Sequence, residues 1–264
     1  MELGGKTILL TGASTGLGPH IARRLHRDGA TFVLSARNVG ALEKLASELG
    51  GARVIAADLS RAGEPERLAE AAGDVDILVS NAGIPATGRL ATFTTEEIDR
   101  ALAVNLRAGI VLAHALAPSM VERGAGHMVF MSSLAGHIAA GGESIYSATK
   151  FGIRGFALAL REELWGTGVG VSVICPTFVS EAGMWAVTAL KPDPMAGEVT
   201  PAQVAGAVLT AVTKNRAEID VMPIQLRGSL KIQALAPRLF TSVARATGAT
   251  KPNDALTDRQ RDKR

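Results

Sequence analysis

The chain has a single tyrosine, Tyr146, and Lys150 stands four positions after it in the stretch SIYSATKFG. On a helix an i,i+4 pair faces the same way. An ammonium beside a phenol favours the phenolate and lowers a pKa that starts at about 10. The spacing therefore predicts a tyrosine able to exchange a proton with an alcohol or a carbonyl near neutral pH. Tyr-x-x-x-Lys also arises by chance on helix surfaces, so the pair acquires meaning only from its surroundings. Upstream, the apolar run HMVFMSS ends in Ser132 and Ser133, and a hydroxyl at the carboxyl end of a buried strand is placed to meet a ligand in an open α/β sheet. Farther back, Thr94 and Glu97 have the spacing of a capping box. The stripe that follows, Ile98, Leu102, Asn105, Gly109, Leu112 and Leu116, contains one polar member. A buried amide left without partners costs about 1–3 kcal/mol. Asn105 is therefore expected either to tie the helix to a strand or to anchor a water or lysine beside a reacting group.

A second constellation opens the chain. Thr11-Gly-Ala-Ser-Thr-Gly-Leu-Gly18 follows the run KTILL, and Leu17, Ile21 and Leu25 then recur at helical spacing. Glycines at such a junction allow a tight turn and bring backbone N–H groups to a pyrophosphate at the positive helix terminus. Pro19 is tolerated because the first helical turn has no internal use for its N–H. The spacing is G-x-x-x-G-x-G rather than G-x-G-x-x-G. The next strand ends Ser35-Ala36-Arg37, without the carboxylate that grips ribose hydroxyls and selects NAD. Arg37 suits a 2′-phosphate instead, so NADP(H) is the preferred cofactor, with NAD(H) use left open.

These residues need a frame to hold them. Seven runs read as short buried strands: KTILLTG, TFVLSAR, RVIAADL, DILVSNAG, HMVFMSS, GVSVICP and EIDVMP. Helix-length segments separate them, which predicts a Rossmann-type doubly wound parallel sheet of about seven strands in a three-layer α/β/α sandwich. No linker or repeat divides the chain, so residues 1–250 read as one nucleotide-binding domain. Within it a flap over about 183–200 carries Pro192 and Pro194, and residues 251–264 form a charged tail expected to be flexible.

Composition narrows the partners. Of 264 residues 47% are hydrophobic and 20% charged, with a net charge of +3, which is globular composition. Aromatic residues at 4% and no concentrated basic face argue against nucleic acid. Five histidines without ligand spacing and one cysteine, Cys175, argue against a dedicated metal site and against internal disulfides. The start MELGGKTILLTGAS lacks a basic n-region and a long apolar core, and the longest apolar stretches meet Asn105, Arg107 or glycine. A cytoplasmic protein that does not span a membrane is expected. Leu226 to Ala246 mixes basic and apolar residues; it reads as a helix on the core or on a neighbouring subunit, with contact to a membrane surface as the alternative.

Taken in order, these motifs resemble the short-chain dehydrogenase/reductase family from about Lys6 to Glu181, and more weakly beyond. The resemblance implies catalysis by Asn105, Ser133, Tyr146 and Lys150, and usually a homodimer or homotetramer. It implies cofactor contacts from Gly12, Ser14, Thr15, Gly16, Leu17, Gly18, Arg37, Asp58, Leu59, Asn81, Ala82, Gly83, Tyr146, Lys150 and Pro176. Two positions depart from the family: Pro176 is followed by Thr177 instead of glycine, and Glu181 falls where a threonine near the nicotinamide is usual. The activity implied is hydride transfer between the nicotinamide and a small-molecule carbonyl or secondary alcohol. Leu134–Glu143, Ile84–Arg89 and Met184, Trp185 and Val187 would line the pocket, and their apolar character predicts a hydrophobic ketone or aldehyde. Two other readings are a non-catalytic NADP-binding sensor and an epimerase or dehydratase that retains its cofactor; the intact tetrad disfavours the sensor.

Overall fold

Strands this rich in Val, Ile and Leu must be covered on both faces, and the chain supplies the covering helices in alternation. The computed structural model describes residues 1–186, 197–247 and 260. Its first half runs β1 (Thr7–Thr11), α1 (Leu17–His26), β2 (Thr31–Ala36), α2 (Val39–Glu48), β3 (Arg53–Ala56), α3 (Glu64–Ala72) and β4 (Ile77–Ser80). A long helical run follows: α4 (Thr95–Leu102), a π turn (Ala103–Arg107) and α5 (Ala108–Glu122). Then come β5 (Gly126–Met131), α6 (Ser144–Glu163), β6 (Val169–Pro176), β7 (Phe178–Val179) and α7 (Gly183–Ala186). The chain continues through β8 (Glu198–Val199), α8 (Pro201–Lys214), β9 (Glu218–Val221), α9 (Ile224–Leu235) and α10 (Pro237–Thr247).

All seven expected strands form, and they join one parallel sheet in the order β3-β2-β1-β4-β5-β6-β9. Successive side chains on a strand point to opposite faces, and the core divides accordingly. Leu10, Val79 and Val129 pack with α1 and α8 on one side through Ile21, Leu25, Val204 and Val208. Leu9, Leu78 and Phe130 pack on the other with Leu68 of α3, Leu112 of α5 and Ile153 of α6. The central strands β5 and β6 are buried along their whole length.

The capping box at Thr94 and Glu97 is present, with both reciprocal bonds made. The run Thr95–Glu122 is long and apolar enough by composition to cross a bilayer, although Asn105 and Arg107 interrupt it. In this fold Ala108, Leu112, Leu116 and Met120 turn its apolar side into the core. The base of the flap is a short two-stranded parallel ribbon, β7 with β8; Val187 and the side chain of Trp185 lie outside the described residues.

Strand order reverses at β1, whose neighbours are β2 and β4. In open α/β sheets the ligand crevice lies outside the carboxyl ends of the strands at this switch point.

Candidate active site

Both chemical constellations lie along that edge. At the end of β1 the backbone turns through Gly12 and Gly16 with φ of +63° and +60°, a region that favours glycine. Close approach fixes two of the glycines as well. A Cβ on Gly12 would lie 2.8 Å from Ala82 Cα, and one on Gly18 would lie 2.2 Å from the Gly12 carbonyl oxygen. The α1 N-terminus receives no side-chain cap and has no acidic residue in its first turn. Gly18 N donates to the Thr15 carbonyl at 3.2 Å within the turn; the positive end of the helix is left without a side-chain partner, and the turn fits the pyrophosphate of a nicotinamide dinucleotide. Within this turn Ser14 is half-buried and Thr15 exposed.

Thr11, fully buried, was missed by the sequence reading as a functional position. Its Oγ1 accepts hydrogen bonds from Asn81 N and Ala82 N, both at 3.1 Å. Asn81 Nδ2 donates back to the carbonyls of Thr11 and Gly12 at 3.1 and 3.2 Å. The clamp joins the ends of β1 and β4 and holds the glycine turn against Ala82. A threonine closing a strand just before a glycine was the available signal.

Arg37 is exposed just past the end of β2. Asp58 sits near it with its Oδ1 accepting from Ser60 N and Oγ at 3.1 and 2.7 Å. Burial raises the Asp58 pKa, but the Ser60 bonds and the charges of Arg37 and Arg61 outweigh it and leave the carboxyl below its ordinary value. An ionised Asp58 and the cation of Arg37 thus flank the position expected for the adenosine half of a cofactor, and Leu59 beside them is buried.

Across the crevice, α6 is fastened to the end of β5. Ser132 Oγ donates to the Lys150 carbonyl at 2.9 Å, and Lys150 Nζ donates to the Met131 carbonyl at 2.9 Å. Tyr146 faces the same space, its ring centroid 5.5 Å from Lys150 Nζ, and Ser133 is the hydroxyl that acts on its phenol. Ser133 Oγ also accepts from Ala135 N at 3.2 Å, which fixes its rotamer. The structure brings these groups together at the end of β5, but their electrostatics differ from the expected lowering of the phenol pKa. Burial lifts the Tyr146 phenol well above its usual value, the Ser133 bond opposes this, and Glu143 adds to it. Lys150 does not reverse that balance, and burial pushes its own pKa down to about 8 against a weak opposing effect of Cys175. Glu143, whose carboxyl is itself raised by burial, was expected only as the end of a pocket-lining loop; its effect on Tyr146 was not.

Asn105 lies in the π turn and is buried at 5% exposure. Its Oδ1 accepts from Ile84 N at 2.7 Å and its Nδ2 donates to Ile84 O at 2.9 Å. Of the two roles expected, the side chain therefore performs the structural one, tying the helical run to the segment after β4. Lys150 is nonetheless close. A Cβ on Gly83 would meet Asn105 Oδ1 at 3.4 Å, Met184 Cε at 3.7 Å and Lys150 Nζ at 3.9 Å.

The two departures have distinct outcomes. After Pro176, Thr177 has a buried Oγ1 with no hydrogen-bond partner, an orphan group at the end of β6 that a polar ligand atom could satisfy. Glu181 is exposed with φ of +61°, beside a cleft that Gly16 and Gly183 also line. In the tail expected to be flexible, Gln260 is buried at 3% exposure. Its side chain accepts from Thr87 Oγ1 at 2.6 Å and donates to the Met184 carbonyl at 3.0 Å, linking two of the expected pocket walls.

His137, Cys175, Glu218 and Asp220 bring donor atoms within 4.8 Å of one another. Arg154 Nη2 already binds Glu218 at 3.0 Å and His137 Nε2 lies 2.9 Å from Asp220, so the cluster is a polar network fastening the loop after β5 to α6 and β9.

A switch-point crevice with a glycine turn on one bank and a Ser-Tyr-Lys cluster on the other defines a nicotinamide-dependent oxidoreductase. The profile described as short chain dehydrogenase matches residues 6–192, and the chain belongs to the short-chain dehydrogenase/reductase family. It is 39% identical over 242 residues to the ketoacyl reductase HetN of Nostoc, covering 89% of this chain and 84% of that protein. It is 35% identical to mouse dehydrogenase/reductase SDR family member 7B, over 88% of this chain and 78% of that one. Among solved structures, a short-chain dehydrogenase from Sphingobium yanoikuyae in complex with NADPH superposes with a TM-score of 0.78 at 29% identity, covering 90% of this chain and 95% of that one.

Proposed function

We propose that this oxidoreductase is an NADP(H)-dependent carbonyl reductase acting on a hydrophobic ketone or aldehyde. The observation that carries this reading is the convergence of Ser133, Tyr146 and Lys150 at the end of β5, opposite the uncapped glycine turn. Arg37 in place of a carboxylate after β2 supports NADP(H), as do the NADPH-bound relative and a metagenomic relative solved with NADP. The apolar segments around the crevice and the ketoacyl reductase among the relatives support a ketone with an apolar body.

When bound, NADPH would supply the hydride. Ser133, its hydroxyl already oriented by Ala135 N, donates to the substrate oxygen and aligns the carbonyl. Tyr146, kept protonated by burial, gives its proton to the oxygen as negative charge develops there. Lys150, its ammonium held by the Met131 carbonyl, faces that charge and would hold the nicotinamide ribose. Asn105 keeps the segment after β4 in register with Lys150. Thr177 Oγ1 offers a donor and an acceptor for a carboxamide at the end of β6. A homodimer or homotetramer is part of the same proposal, and sedimentation velocity reads it directly.

The deciding experiment is a panel of ketones, aldehydes and polar sugars, followed at the absorbance of the reduced nicotinamide with NADPH and NADH in parallel. Net NADPH oxidation with apolar ketones is expected, and Tyr146→Phe should lower turnover by about 10²–10⁴-fold while the protein still binds NADPH. Near wild-type turnover in that variant, or activity confined to sugars or small polar acids, overturns the reading.

A further inference from the structure

The last two described helices carry a surface that neither the fold nor the reaction uses. Ile224 is 76% exposed, Leu235 87%, Leu239 60%, Val243 54% and Ile232 51%, far from the burial of the aliphatic side chains in the core. On α9, Ile224 and Leu235 are separated by eleven positions, three helical turns, and so share a face. On α10, Leu239 and Val243 are an i,i+4 pair. The two helices pack on each other, and the opposite side of α9 is committed to the fold, with Gln233 Nε2 donating to the His137 carbonyl at 2.8 Å.

The charge around these residues has one sign. From Ile224 to Thr247 the sequence contains Arg227, Lys231, Arg238 and Arg245 and no aspartate or glutamate. Arg227, Arg238 and Arg245 are exposed, and among the described residues none of them pairs with a carboxylate. A second copy meeting this face about a two-fold axis would bring arginine against arginine, which electrostatic complementarity disfavours. An anionic lipid surface answers both features, because it offers negative headgroups to the cations and an acyl boundary to the apolar side chains.

We infer that α9 and α10 dock this protein peripherally on anionic membranes, with Leu235, Leu239 and Val243 entering the headgroup boundary and the arginines lying against phosphates. This rests on the surface alone and is independent of which carbonyl is reduced. Because α9 also holds the loop after β5, docking would set the substrate crevice beside the lipid phase.

The test is co-sedimentation of the full chain with vesicles of phosphatidylcholine alone and of phosphatidylcholine mixed with phosphatidylglycerol, at low and high salt. Binding is expected to the mixed vesicles at low salt and to weaken as salt is added. Replacing Arg227, Arg238 and Arg245 by Gln should lower partitioning by about 10²-fold, at roughly tenfold or somewhat less per charge. Leu235→Asp with Leu239→Asp should abolish it. Unchanged thermal midpoint and unchanged NADPH binding in both variants would show that the fold is intact. Protein that stays in the supernatant with both vesicle types overturns the inference, as does binding that neither variant alters. Loss in the arginine variant alone would overturn apolar insertion. If the leucine variant instead halves the mass in sedimentation velocity while no vesicle is bound, the face is a subunit interface and the inference fails.

Discussion

At the scale of single residues, the proposed direction of reaction depends on protonation states. A phenol lifted by burial is a proton donor at rest, which suits carbonyl reduction better than alcohol oxidation, where the phenolate must form first. Lys150 is the group that titrates nearby. Its folded pKa of about 8 lies below the ordinary lysine value, so the ammonium is present below that pH and is lost as pH rises through it. We expect kcat/KM for reduction to be flat up to about pH 8 and then to fall, since this parameter reports groups of the free enzyme. Lys150→Arg, slower but permanently charged, should remove that alkaline limb. At the other end of the crevice, Arg37→Gln should raise the KM for NADPH by about 10–100-fold, the range of a lost charge-assisted hydrogen bond, and leave the KM for NADH unchanged; an equal effect on both cofactors would place Arg37 outside the 2′-phosphate contact. The identities of Ser133, Tyr146 and Lys150 were legible in the sequence because strand ends and i,i+4 spacing are local properties. The sign of the tyrosine shift was not, because burial, which only the folded chain imposes, dominates it, with Glu143 adding to it and the Ser133 bond opposing it.

Among the elements, the central strands are tied by polar bonds within an apolar layer. His127 of β5 is buried, its Nε2 2.8 Å from Ser172 Oγ on β6, and Ser172 Oγ donates to the Arg216 carbonyl just before β9. With the serine proton used there, His127 Nε2–H is the donor to Ser172, and the ring is neutral. Burial, then Arg161 and the amino terminus, push its pKa down to about 3. The unfolded chain protonates at about 6.5. The stability this histidine confers is therefore complete above that pH and is lost as pH falls towards 3, at up to about 1.4 kcal/mol per pH unit. Urea titrations at pH 7 and pH 5 should differ by about 2 kcal/mol from this group, and His127→Gln should flatten that part of the profile. Nothing in the run HMVFMSS reveals this, since a histidine beginning an apolar strand reads the same whether or not a serine waits across the sheet. The π turn at Ala103–Arg107 was similarly illegible. The polar interruption of the apolar stripe marked Asn105 as special, but its partner, the backbone of Ile84, lies far along the chain and is met only through folding.

For the molecule as a whole, the topology was readable because the β-α alternation leaves few solutions once right-handed crossovers are required. The seven strands and the glycine turn after β1 follow from it, and the switch point between β1 and β4 then places the crevice. The periphery was less legible. Gln260 crosses to Thr87 and Met184 from a stretch whose composition is that of a solvated tail, and the exposure of α9 and α10 depends on what they fail to cover. Since Tyr146 has no other tyrosine to mask it, the near-ultraviolet band of phenolate reports the proposed proton donor alone, in the unmodified protein. An alkaline titration of the folded protein should show that band emerging well above pH 10, and of the urea-unfolded chain at about pH 10. Coincident curves would mean that the fold does not hold the proton on. The same absorbance, followed while NADPH is added, would report how far the cofactor retunes a single oxygen atom without any label or mutation.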